Sequence, residues 1–457
     1  MTASLVGLYH TLPFESIILL LFFLLPFFVY WDTIFHGGWV SDDISPPGGI
    51  ALYDGKMQKP LSFHNVFKWC RWRLGRVPNP NKNWEKDKQP SFVASTRSHH
   101  RINIYLSAGC NVLLYIFLSR LFTPDVAFYA TLLFAVHPIG TQVFAWSSGI
   151  GYAFGLFFML TGLNFILLST DMGLNAMPIP FLISCAVYAI LQGIAVEFMF
   201  VTSMAVVILC WLQAWPFAII AGGFAIYQAF HTLREAVVLR TKVFHEQQMG
   251  MSTRLHWRKV FVVAKILYYN AKLAFFPKRM GLYSPYFYHY PMMDTESEDR
   301  YFWFGIVTAS VFTIALLFGT PPLQFGSLWF LAFVAPFSGI VVANQFVVDR
   351  YVTIPSIGGC LIVSSLCLSF HAEWFLLILF GIALMRTWAH LPTYEDEEKF
   401  YLSNIWNFRD SEVAWGNLGV TLMNRGLMGS AMDAWWRGLQ LNSEYDVCSY
   451  NLSSCFK

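Results

Sequence analysis

The chain has 457 residues, 56% of them hydrophobic and only 12% charged, with a formal net charge of +3 at neutral pH. An ordinary soluble domain carries about 25% charged residues. The composition therefore excludes a soluble globular enzyme, and so small a net charge leaves no electrostatic footprint for nucleic acid.

Apolar stretches near bilayer length recur along the sequence, as a polytopic membrane protein requires. In chain order the candidate spans are 15–31, 102–122, 125–143, 148–169, 177–194, 196–214, 216–233, 301–319, 324–345, 352–370 and 373–391, eleven in all. The first lacks a basic leader and a cleavage site, and reads as a retained helix rather than a signal peptide. Pro124, Pro178, Pro216 and Pro322 stand at or near span starts, where a missing N–H costs little. The 17 Trp and 21 Tyr suit a chain with many membrane–water interfaces. Eight cysteines form no CxxC pair, and five lie in apolar spans as small core residues.

Between the first two spans lies a long loop, 32–101, whose most informative feature is Ser41-Asp42-Asp43. Ionisable side chains held at a membrane boundary are expensive, which marks the Asp42-Asp43 pair as a functional candidate against the plainer reading of a solvated acidic loop. The loop is also rich in Lys and Arg, a cytoplasmic signal, but it exceeds the roughly 60 residues over which that rule operates. Sequence alone leaves the orientation open. His99-His100 has no third ligand beside it and makes no metal site.

The segment 257–276 differs from the spans. Arg258, Lys265 and Lys272 recur every seven positions, which places them on one helical face. The pattern predicts an amphipathic helix lying in the interface; the alternative is a crossing helix with its lysines toward a polar cavity. Eleven crossings would gather the acidic loop, segment 234–300, the Asp349-Arg350 boundary and the C-terminal tail on one face of the membrane.

After the last span the composition turns charged and mixed, and 392–457 forms a separate tail. Val413, Asn417 and Leu418 return as Val447, Asn451 and Leu452, an offset of 34 in each case. That is the tetratricopeptide period. Trp415-Gly416-Asn417-Leu418-Gly419, then Ala431 and Ala434-Trp435, fit its helix–turn–helix pattern of small residues. About one and a half repeats are present where about three are needed for independent stability, so the tail is expected to lean on the membrane domain or on a partner. Trp415, Asn417, Leu418 and Trp435 are its candidate protein-binding residues.

Taken together, these segments resemble the transmembrane-and-tetratricopeptide family of O-mannosyltransferases, of the GT-C glycosyltransferase class. The resemblance runs from Asp42-Asp43 through His100, Asn103 and Asn111, Leu133-Phe134-Ala135-Val136-His137-Pro138-Ile139, Phe276-Pro277 with Leu282-Tyr283-Ser284, Val348-Asp349-Arg350-Tyr351, Ile354-Pro355-Ser356-Ile357-Gly358, and Arg386-Thr387. It implies an all-α fold: a GT-C-like helical bundle over 1–391 followed by a short tetratricopeptide hairpin. It also implies transfer of a sugar from a polyprenyl-phosphate donor to a hydroxyl. On that reading Asp42 is the general base, with Asp43 its alternative or an orienting neighbour. Lys278, Arg279 and Arg350 are candidates for the leaving phosphate. His100, Asn103, His137, Asp349 and Glu197 would support the site. For His137 the competing reading is a helix-end histidine satisfied by backbone, and for Arg350 an ion pair with Asp349 or an interfacial anchor.

The sequence also departs from the family. Gln142 stands where an acidic residue is usual, Gly149-Ile150-Gly151-Tyr152 replaces Gly-Arg-Ala-Asp, and Val196-Glu197 replaces Lys-Glu. Two functions therefore stand side by side. One is a glycosyltransferase passing mannose or a related hexose to protein Ser or Thr. The other is a catalytically inactive GT-C-fold subunit that docks an assembly through its tail. No dedicated metal-ligand spacing is present, although the carboxylate pair could hold Mg²⁺ or Mn²⁺ through water. Expected partners are membrane lipid, a lipid-linked sugar, and an acceptor or assembly protein. The expected location is the plasma membrane of a prokaryote or the endoplasmic reticulum of a eukaryote.

Overall fold

The computed structural model describes residues 5–41, 76–78, 92–171, 218–219, 222–223, 226, 259–281, 300–335 and 347–455. Asp42, Asp43 and Glu197 lie outside them, as do the expected spans 177–194 and 196–214 and the second half of 324–345. The described part is almost wholly helical. Its only sheet pairs Arg76–Pro78 (β1) antiparallel with Phe92–Ala94 (β2), with Val77 opposite Val93.

The first helix, α1 (Leu5–His36), is apolar all round, yet its two faces differ. Ile18, Phe22, Leu25, Val29, Tyr30 and Ile34 are buried at helical spacing, while Ile17, Leu20, Leu24, Phe28, Trp31 and Phe35 are exposed. One face packs on the bundle and the other suits hydrocarbon. Its partner is α2 (Thr96–Leu121), where Phe22 lies 5.3 Å from Tyr115 between ring centroids. Ser95 caps α2 by accepting from Ser98 N–H.

The span expected over 125–143 is broken. α3 (Pro124–Ala135) ends at Val136, and the chain continues through a 3₁₀ turn into the four-residue α4 (Thr141–Phe144), bent by 52°. The cause is local. Pro138 disfavours helical backbone in the residue before it, and His137 is accordingly extended at φ −64°, ψ 125°. A second 3₁₀ turn, Ser147–Gly149, leads into α5 (Ile150–Asp171). α5 runs parallel to α2, with Asn103 meeting Trp146, Cys110 meeting Ala153 and Leu113 meeting Asn164 in order.

Next come α6 (Lys259–Phe275), α7 (Arg300–Phe318), α8 (Pro321–Val334), α9 (Asp349–Ser369) and α10 (Glu373–His390). α8 and α9 cross at Gly326 and Gly358, where a Cβ on either glycine would meet the other's carbonyl oxygen. Pro355 sits inside α9, and the carbonyl of Ile354 beside it accepts the Trp329 indole N–H at 2.9 Å. Among the described residues six helices are long and apolar enough to cross a membrane, or seven if the bent α3–α4 pair is one span. This is a multi-pass membrane protein with a helical bundle.

The helix expected at 257–276 forms, but its basic residues do not share a solvated face. Lys272 is exposed, whereas Lys265 is only 2% exposed, on a stretch where Val262, Ile266 and Tyr269 pack with Val347 and where Gly305 of α7 sits against the backbone of Ala264. Neighbouring helices enclose Lys265 and leave Lys272 outside.

The tail continues from α10 through the 3₁₀ turn Leu391–Tyr394 into α11 (Glu397–Asn407), α12 (Glu412–Asn424), α13 (Met428–Leu441) and α14 (Asp446–Ser454). Trp435, fully buried, donates its indole N–H to the Gly416 carbonyl at 3.0 Å and lies flat against Gly419, so α12 and α13 close tightly.

Candidate functional site

Several chain breaks converge at one end of the bundle: the exit of α1, the start of α2, the turns around α4, the start of α9, the extended stretch after α6, and the first turns of the tail. Trp146 stands at their centre. Its carbonyl accepts from Asn103 Nδ2 at 2.9 Å, and its indole N–H donates to the Val40 carbonyl at 3.2 Å. Its ring faces Phe400 at 6.1 Å and carries the Arg350 guanidinium, whose Cζ is 5.9 Å from the ring centre. Tyr351 holds the same guanidinium at 5.1 Å, so Arg350 is fixed by two aromatic faces.

Arg350 lies in the first turn of α9, where backbone N–H groups lack helical partners. Val348 offers no side-chain cap. Gln142, 1% exposed, supplies one from across the fold, its Oε1 accepting from the Arg350 backbone N–H at 2.8 Å. Gln142 thus supplies an acceptor without a charge. Asp349, 2% exposed, accepts from Gly281 N–H at 2.8 Å, and the arginine next to it and Tyr394 lie within its electrostatic reach.

The front wall is the segment 37–41. Gly37 presses on the His100 ring, and Gly38 N–H donates to the Tyr394 carbonyl at 2.9 Å. Trp39 meets His99 edge to face at 5.2 Å. Ser41 has a left-handed backbone, φ 52°, and its backbone hydrogen-bonds the Glu397 carboxylate. His100 is fully buried, with Nε2 3.4 Å from Ser147 Oγ.

Of the candidates read from sequence, His100, Asn103, Asp349 and Arg350 come together here. His137 is held elsewhere. Its Nε2 donates to the Ala274 carbonyl at 2.9 Å and its Nδ1 accepts from Ile139 N–H at 3.3 Å, so it pins the break between α3 and α4 to the end of α6. Lys278 and Arg279 are exposed, and the Lys278 carbonyl takes a hydrogen bond from Arg386 at 3.0 Å. In the tail, Leu418 and Trp435 are enclosed in the helix packing, which corrects their reading as contact residues: side chains 4% and 0% exposed cannot reach a partner. Trp415 is half-buried and lines an open groove of about 540 Å³ with Trp406, Arg409 and Arg437. Asn417 is half-buried on α12.

Sequence reading missed Gln142 as a cap, Trp146 as the hub, the buried Lys265, and the tail residues Tyr394, Glu397 and Phe400. Among the described residues no group of three His, Cys, Asp or Glu side chains could hold a metal ion. Comparison of the chain with protein-family models, with curated proteins and with solved structures finds no match.

Proposed function

We propose that this chain is a GT-C-type membrane glycosyltransferase that moves mannose or a related hexose from a polyprenyl-phosphate to protein Ser or Thr hydroxyls. The observation that supports it is the start of α9. There an arginine held on aromatic faces beside a buried aspartate stands at a helix N-terminus, a place suited to an anionic phosphate. In the reaction the acceptor oxygen attacks the anomeric carbon and the bond from that carbon to the phosphate oxygen breaks. The acceptor proton passes to a carboxylate, Asp42 or Asp43 on sequence grounds, and the polyprenyl phosphate leaves as an anion. Arg350 is the cation for that anion, in preference to the exposed Lys278 and Arg279. Eleven crossings and a tetratricopeptide character for 410–457 belong to the same proposal, as do the plasma membrane or endoplasmic reticulum as its location.

The second reading, an inactive subunit docking an assembly through its tail, is favoured by Gln142, which caps α9 but carries no charge. Transfer by the purified full-length protein decides between them. The substrates are polyprenyl-phosphate-mannose and a Ser/Thr peptide pool, with Arg350→Gln, Asp42→Asn and Asp43→Asn in parallel and with EDTA as a test for a divalent ion. The enzyme reading expects wild-type transfer, about 100-fold slower in Arg350→Gln and abolished in one Asp variant, with unfolding temperatures retained. Absence of transfer from mannose, glucose or N-acetylglucosamine donors overturns it in favour of the subunit.

A further inference from the structure

We propose that the C-terminal tail is a structural part of the boundary site, and that Glu397 is the positioning residue through which it acts, holding Ser41 and so fixing the segment 37–41 that forms the site's front wall. Glu397 and Phe400 are three residues apart on α11 and share one side of it, while Tyr394 ends the 3₁₀ turn that precedes the extended Asp396. Each meets a different part of the wall. The Tyr394 carbonyl takes the Gly38 N–H, the Glu397 carboxylate takes the Ser41 backbone, and the Phe400 ring packs on Trp146, whose indole N–H in turn holds the Val40 carbonyl.

The segment is fixed residue by residue. Gly37 and Gly38 are needed there, because a Cβ on the first would meet the His100 ring and on the second the Glu395 backbone. Ser41 then turns into a left-handed conformation, one of two non-glycine residues with positive φ among the described residues. Such a backbone is disfavoured for serine and persists where surrounding contacts over-determine it. The Glu397 carboxylate meets the Ser41 backbone at this turn.

Glu397 is itself anchored from the tail side. Thr421 Oγ1 of α12 donates to its Oε2 at 3.4 Å, the Arg425 guanidinium attracts it and Asp396 opposes it. Arg425 pairs with both Asp396 and Glu398, which ties α12 to the start of α11. A displacement of α12 therefore reaches Ser41 through one carboxylate.

The role as a positioning residue rests on the proposed site; the geometric coupling does not, and the test separates them. The full-length protein in lipid nanodiscs is compared by amide hydrogen exchange as wild type, Glu397→Ala, Glu397→Gln and the exposed control Asp433→Asn. In Glu397→Ala, exchange over 37–41 is expected to rise about tenfold while α12 and α13 stay protected. Glu397→Gln, whose amide oxygen still accepts, is expected to match wild type. Unchanged exchange over 37–41 in Glu397→Ala overturns the proposal. So does equal loss of protection across α12 and α13, since that would be unfolding of the tail. In parallel transfer assays Glu397→Ala is expected to lower kcat with KM for the donor little changed, and Glu397→Gln to restore it. Faster exchange with no transfer by any variant, wild type included, leaves the coupling standing and fails the glycosyltransferase reading. Unchanged exchange with normal wild-type transfer fails the positioning role alone.

Discussion

Over their most apolar stretches α7 and α9 have nearly the same mean hydropathy, 1.9 and 1.8, yet 67% of that stretch is buried inside the protein in α9 against 11% in α7. Their polar side chains show what the difference means. On α7, Thr308 and Thr313 return their hydroxyls to their own helix, to the carbonyls of Phe304 and Ala309. On α9, Thr353 divides its reach between the Asp349 carbonyl one turn back and the Ile139 carbonyl of another element, and Asp349 reaches Gly281. A helix facing hydrocarbon must satisfy polar groups internally, while an inner helix can also use them to join elements, as Thr353 and Asp349 do although Ser356 and Ser369 bond within α9. The inner helix therefore carries the site, and the outer one presents Val307, Val311, Ile314 and Leu317 outward.

The sharpest way to break this comparison is at the crossing of α8 and α9. A Cβ at Gly358 would sit 3.0 Å from the Phe330 backbone nitrogen and closer still to the Gly326 carbonyl, neither of which can rotate away. Gly358→Val is expected to cost about 3 kcal/mol or more in overpacking and to lower both yield and unfolding temperature in detergent. Val311→Ala on the exposed face of α7 is expected to leave both unchanged. Equal sensitivity at the two positions would mean that α7 is packed against protein rather than lipid.

The tail offers a similar contrast within two adjacent residues. Trp435 is fully buried and Trp436 is 57% exposed. Trp435→Ala is expected to cost about 3–5 kcal/mol and to open α12 and α13 to limited proteolysis. Trp436→Ala is expected to change neither proteolysis nor thermal stability.

How much of this could be read beforehand follows the same division between local and distant contacts. The apolar helices were legible because length and composition suffice, and Asp349-Arg350 stood out as charge at a span edge. The break at His137 was not separated from a continuous span, although Pro138 carried the signal. Gln142 looked like a loss because sequence displays its missing charge; the amide oxygen that caps α9 becomes visible only once Arg350 lies against it. Lys265 and Lys272 share a helical phase, yet one is enclosed and the other exposed, since burial is decided by the neighbouring helices. Tyr394 and Glu397 have partners near the start of the chain and Phe400 packs on Trp146, and contacts so distant in sequence leave no periodic trace.

The smallest expected effect is a pH dependence of the tail's grip on the front wall. Burial holds the Glu397 carboxyl above its ordinary value of 4.5, outweighing the hydrogen bonds from Thr421 and the Ser41 backbone and the attraction of Arg425, while Asp396 pushes the same way as burial. An acid whose pKa is raised in the docked state binds its proton more tightly there than when released. Its contribution to docking is thus fully present below the ordinary carboxyl range and is lost as pH rises through the raised value. Amide exchange over 37–41, corrected for its intrinsic pH dependence, is expected to quicken modestly as pH rises from below 4.5 through the raised value. Glu397→Gln removes the titration while keeping an acceptor for the Ser41 backbone, so its corrected exchange is expected to be flat over the same range. A wild-type profile as flat as that of the glutamine variant would mean that Glu397 does not lose its proton while docked. A profile of opposite sign would mean that Arg425 and the hydrogen bonds, rather than burial, govern the carboxyl.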